Sequence, residues 1–150
     1  MGRTIALQTA VSGTLDILLA MGLTLYAGRQ IPDMLRFVSS GPFPAATSMG
    51  AAGAWLGLAV HFTLMAIMAA IFMAVVNHRP VLLDTPYRTG IAYGVITYIV
   101  MNLIVVQLRF HPPFPPKTLS IVTQLFAHIV LVGIPFALIA ARTLGRPSAA

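Results

Sequence analysis

The stretch GLAVHFTLMAIMAAIFMAVV, residues 57–76, decides how this chain is read. Crossing the hydrocarbon core of a bilayer takes about 20 residues of helix, and this run has the length. Its one titratable side chain is His61. Extended to the nearest breakers the segment covers about 50–76, and three further segments share its character, at about 5–27, 89–108 and 119–141. Of the 150 residues, 58% are hydrophobic and 8% charged, and the mean hydropathy is +0.90. A soluble domain carries roughly 25% charged residues. The expected fold is therefore all-α: a transmembrane four-helix bundle forming a single integral membrane domain over 1–150, with the lipid bilayer as its solvent.

The connections support that division. YAGRQIP closes the first span with Gly28 and Pro32. In the following DMLRFVSSGPFP, the apolar Met34, Leu35, Phe37 and Val38 sit beside Asp33 and Arg36. This pattern predicts a short helix lying in the membrane interface between helices 1 and 2. LRFHPPFPPK ends the third span, since prolines cannot continue a helix. Pro135 should kink the fourth by freeing the carbonyl near Leu131. The tail GRPSAA, 145–150, reads as weakly held. Arg3 and the apolar residues after it mimic a signal peptide, but Asp16 interrupts that run, so the segment is read as a retained first helix. LRFVSSGPFP and LRFHPPFP resemble each other, and each precedes a span with one histidine. A pair of parallel two-helix repeats would produce that pattern.

Composition also excludes. The chain has no cysteine, hence no disulfide, thiolate metal site or Fe–S cluster. Its net charge of +6 is spread over every loop and both ends, so no nucleic-acid interface is formed, and anchoring to lipid phosphates accounts for it. Walker A, G-x-S-x-G, dinucleotide and H-E-x-x-H motifs are absent. With four spans the termini share one face with Arg3, Arg79, Arg88, Arg142 and Arg146, against Arg29, Arg36, Arg109 and Lys117 on the other. By the positive-inside rule both termini are cytoplasmic.

Residues four apart share a helix face. Taken at that spacing, each span carries one small or polar stripe: Gln8, Ser12, Asp16, Ala20, Thr24; Gly53, Gly57, His61, Met65; Gly90, Gly94, Tyr98, Asn102; and Ser120, Gln124, His128, Val132. Lipid cannot satisfy polar groups, so these stripes should face other helices. Gly53, Gly57, Gly90 and Gly94 have the G-x-x-x-G spacing that lets backbones pack closely. Asp16, His61 and His128 each lie about ten residues into their helices, which places them near mid-membrane, with Asn102 and Gln124 nearer the proline loops. These five form a candidate intramembrane polar cluster.

GTLDILLA (13–20), LGLAVHF (56–62), YGVITYIVMNLIV (93–105) and HIVLVGIPFALIAAR (128–142) together resemble a family of uncharacterised bacterial inner-membrane proteins of about this length. The resemblance covers nearly the whole chain. It implies four spans in a bacterial inner membrane with Asp16, His61, Asn102 and His128 as polar landmarks, and it implies no activity.

On function the residues leave alternatives open. The first is a small non-enzymatic integral membrane protein, an accessory or packing subunit of a larger membrane complex or a homo-oligomer. The second is a protein that conducts protons or ions through the Asp/His cluster, or binds haem or a pigment with His61 and His128 as ligands. A purely structural cluster, bonding helix to helix, is compatible with the first.

Overall fold

The computed structural model describes residues 1–145; the expectation for the tail falls mainly on 146–150, outside the described residues. Five helices appear among the described residues: α1 (Gly2–Tyr26), α2 (Ile31–Ser40), α3 (Gly50–His78), α4 (Pro86–Phe110) and α5 (Thr118–Thr143). All but α2 are long and apolar enough to cross a membrane. Short 3₁₀ turns at Pro44–Ser48 and Pro80–Asp84 complete the connections. The chain is an all-α, multi-pass membrane protein built on a four-helix bundle.

The ends of the helices follow local chemistry. Gly28, at φ +69°, terminates α1 in a left-handed turn that a side chain would strain, and the amides of Gly28 and Arg29 bond back to Leu25 and Thr24. Pro32 and Pro86 stand in the first turns of α2 and α4, where their missing N–H costs nothing. His111, at φ 48°, ends α4 ahead of Pro112.

α1 packs between α3 and α5, and α5 packs between α1 and α4. α3 and α4 meet near the terminal face, where the Tyr93 hydroxyl donates to the Met68 carbonyl at 2.7 Å and its ring meets Phe72 edge-on. That half of the bundle holds the apolar core, with Phe72, Met73, Val132 and Phe136 each no more than 1% exposed. Gln8 is fully buried beside it and donates to the Phe136 carbonyl at 2.8 Å. The outward faces are Leu-, Ile- and Val-rich and exposed, as lipid contact requires; Tyr26 and Trp55 stand out at the loop-side ends of their helices.

Glycine lets these helices approach. A Cβ on Gly90 or Gly94 would lie 2.6 Å from Ile134 Cα or Ile129 Cα in α5. Gly133 returns the contact, its missing Cβ making room for the Gly90 carbonyl. The Gly53 and Gly57 pair has a different neighbour from a spanning helix. Gly57 lies against the Leu35 backbone of α2, and Gly53 against the Ala46 carbonyl of the following turn. The interfacial helix is thus pulled onto α3, and Ser39 reinforces it by donating to the Gly53 carbonyl at 2.8 Å.

The two LRF stretches do not mark equivalent units. The first belongs to a separate interfacial helix, the second to the end of a spanning one. They meet each other instead, with Phe37 and Phe110 stacked at 4.4 Å.

Candidate functional site

Asp16, His61, Asn102, Gln124 and His128 of these stripes come together in the half of the bundle away from the termini. His61 is carried there by α3. Gly13 in α1 has no Cβ to obstruct Phe62, whose ring atoms lie 2.7 and 2.8 Å from where one would stand. α3 comes close enough for His61 Nε2 to reach the Gly13 carbonyl at 2.9 Å. A carbonyl only accepts, so Nε2 carries a hydrogen and donates. The other ring nitrogen, Nδ1, faces Asp16 Oδ2 at 3.9 Å. That distance suits an ion pair better than a hydrogen bond. A protonated Nδ1 opposite a carboxylate, or a bare Nδ1 opposite a carboxylic acid, would leave the pair neutral and avoid a lone charge in the bilayer.

His128 is positioned by its own helix. Its Nδ1 donates to the Gln124 carbonyl at 3.1 Å, which leaves Nε2 as the accepting atom of the neutral ring. The ring stands edge-on to Tyr98, centroids 6.1 Å apart. It lies in a π-helical segment, Ala127–Gly133, directly before Pro135. A second π-helical segment, Ile99–Val105, carries Asn102 on α4. Widened turns of this kind re-aim side chains and recur at functional sites; here both face the same space.

That space is a cleft of about 470 Å³ between α3 and α4, and Asp16, His61, Asn102, Gln124 and His128 all line it. Its walls are Val60, Leu64, Met65 and Met68 from α3, with Met101, Val105 and Val106 from α4. Leu64 and Val105 are also among the exposed apolar residues of the outer surface, so the cleft reaches the apolar exterior of the bundle. On the terminal side the lining ends at Met65 and Met68, next to the apolar core. α2 closes the cleft on the loop side through Phe37, Val38 and Gly41. Arg109 at the end of α4 holds this roof, donating from Nε to the Gly41 carbonyl at 2.7 Å and from an Nη to the Ser40 carbonyl at 2.8 Å. A smaller cavity of about 320 Å³ lies beyond Asn102 and Gln124, lined by Lys117 and the prolines of the α4–α5 loop. The two amide side chains border both spaces.

The five polar side chains of the floor are the cluster expected from the sequence, whereas the roof was not anticipated from the residues. By sequence Arg109 and Phe110 mark only a helix boundary, and nothing in their pattern points to the contact between α2 and α4. Ser120, placed on the α5 stripe, is exposed. Among the described residues no three His, Asp or Glu side chains gather into a metal cage. His61 has Nε2 committed to Gly13, so in this arrangement one iron does not take both histidines through that nitrogen.

Fold and site together define a class: a four-span membrane bundle with a polar-floored cleft open to the lipid. No protein-family model, curated protein or solved structure matches the chain.

Proposed function

We propose that the protein is a small non-enzymatic integral membrane protein that holds a lipid-soluble molecule in the cleft between α3 and α4. One observation carries the reading: Asp16, His61, Asn102, Gln124 and His128 line a single apolar-walled space whose lining includes exposed apolar residues of the outer surface. Ligand pockets combine this kind of apolar lining with a few convergent polar groups, at volumes of about 300–1,000 Å³. A cluster that served packing alone would be filled by its own side chains. Conduction across the membrane is less well supported, because the terminal half is closed by packed Phe72, Phe136 and Val132.

The wider setting belongs to the same proposal. The family resembled by the sequence implies a bacterial inner membrane. The five basic residues Arg3, Arg79, Arg88, Arg142 and Arg146, against four on the opposite side, favour cytoplasmic termini. The exposed apolar faces of α3 and α4 leave room for a larger membrane complex, or a second copy, to receive what the cleft carries.

The test is retention. Protein purified in mild detergent should carry about one small lipid-soluble molecule per chain, detectable by native mass spectrometry followed by organic extraction. Leu64→Trp, which adds bulk at the mouth and touches none of the polar floor, should lower that occupancy several-fold. Equal occupancy in the two proteins would refute the cleft as the binding place.

A further inference from the structure

We infer that the molecule held in the cleft is an isoprenoid quinone, bound in both its quinone and quinol forms. The inference rests on the reading of the cleft as a ligand site and adds the chemistry of the head group. The two forms make opposite demands: a quinone oxygen only accepts hydrogen bonds, whereas a quinol hydroxyl donates one as well. The floor of the cleft is made of groups able to meet either demand. Asn102 and Gln124 each carry a donor and an acceptor in one carboxamide. His128 keeps Nε2 as an acceptor while Nδ1 is tied to Gln124. Asp16 and His61 Nδ1 face each other at 3.9 Å, and a carboxyl beside an imidazole nitrogen is able to present either a donor or an acceptor.

An anionic lipid head fits less well. The cation bordering the cleft, Arg109, spends donors on the Ser40 and Gly41 carbonyls of the roof. The walls suit a flat conjugated ring: Met65, Met68 and Met101 offer thioethers, which contact aromatic faces and edges favourably and adapt to shape. Where the cleft reaches the apolar exterior, a prenyl tail is left in lipid. No electron transfer is assigned to this chain, which binds the carrier in either state.

The experiment compares three probes on purified protein stripped of lipid: decyl-ubiquinone, decyl-ubiquinol, and decylbenzene as a tail-bearing ring without oxygens. Both quinone forms should raise the unfolding temperature saturably, at concentrations well below those at which decylbenzene does so. Asn102→Leu should weaken both quinone forms about ten-fold, the loss expected for one hydrogen bond to a polar head, and leave the decylbenzene response unchanged. Leu64→Trp should weaken all three. Equal responses to quinone and decylbenzene, unaltered in Asn102→Leu, would overturn the quinone inference while the mouth variant still discriminates. Should Leu64→Trp change none of the three, the cleft itself is not the site and the underlying reading fails with it.

Discussion

His61 makes two contacts that assign a different partner to each ring nitrogen. The Gly13 carbonyl fixes the hydrogen on Nε2, and Nδ1 is left to negotiate with Asp16. Removing either partner strands the other in the membrane. His61→Ala should therefore destabilise the bundle by about 1–2 kcal/mol, within the range for orphaning a buried polar group. Asp16→Asn should cost less, because an amide keeps the shape and brings its own donor. In a double-mutant cycle, unfolding in detergent should report a coupling of about 0.5–2 kcal/mol between the two sites. Strict additivity would mean that the 3.9 Å approach has no energetic content. The common depth of Asp16, His61 and His128 was legible from spacing, because all three lie on stripes that have to face inward. Which histidine meets Asp16, and through which nitrogen, was not. That depends on Gly13, whose lack of a Cβ admits Phe62 and sets the separation of α1 and α3.

Among the elements, glycine has left traces of unequal visibility. Gly90 and Gly94 announce themselves by their spacing. Gly133, which receives the Gly90 carbonyl, has no glycine four residues away, although Gly133 and Ala137 form a weaker small-x-x-x-small pair. Gly133→Leu should force α4 and α5 apart and lower stability by about 1–3 kcal/mol, the range for overpacking a filled interface. Gly22→Ala is the control, since a Cβ at Gly22 has nothing within 4 Å; that change should be neutral or slightly stabilising. Comparable losses in both would locate the effect in the backbone and not in the interface. The π-helical turn before Pro135 could be anticipated from the proline, whereas the one at Ile99–Val105 has no such marker, because it arises from how α4 meets its neighbours. The interfacial helix was readable from its mix of apolar and charged residues. Its attachment was not, because Arg109 lies far away in sequence and reads as an ordinary boundary cation. Arg109→Gln should release the end of α2, seen as faster hydrogen exchange at residues 39–41 while exchange in α5 stays the same. Unchanged exchange at 39–41 would show that the Phe37–Phe110 stack suffices to hold the roof.

At the scale of the whole molecule the two halves of the bundle differ in kind. The half near the termini is filled by Phe72, Met73, Val132 and Phe136; the loop-side half is left open and roofed by α2. This division explains why the fold was so readable from the chain and the cleft so much less so. Four apolar runs and their breakers determine the spans, but an empty space has no residue to represent it. It becomes visible only once the gap between α3 and α4 is known. The division also has a vectorial consequence, since cleft, roof and side cavity all lie toward one membrane face. The natural absence of cysteine makes that consequence directly testable, because any introduced thiol is the only one in the chain. Single cysteines at Ser48 and Lys117 should react with a membrane-impermeant maleimide from one side of intact cells or inverted vesicles, and cysteines at Arg3 and Arg79 from the other. With cytoplasmic termini, the first pair reacts in intact cells and the second only after inversion. The reverse assignment would turn the cleft toward the cytoplasmic half of the bilayer and leave the bundle itself intact. Labelling of Ser48→Cys and Arg79→Cys from the same side is the outcome that the four-span bundle could not survive, because α3 would then fail to cross.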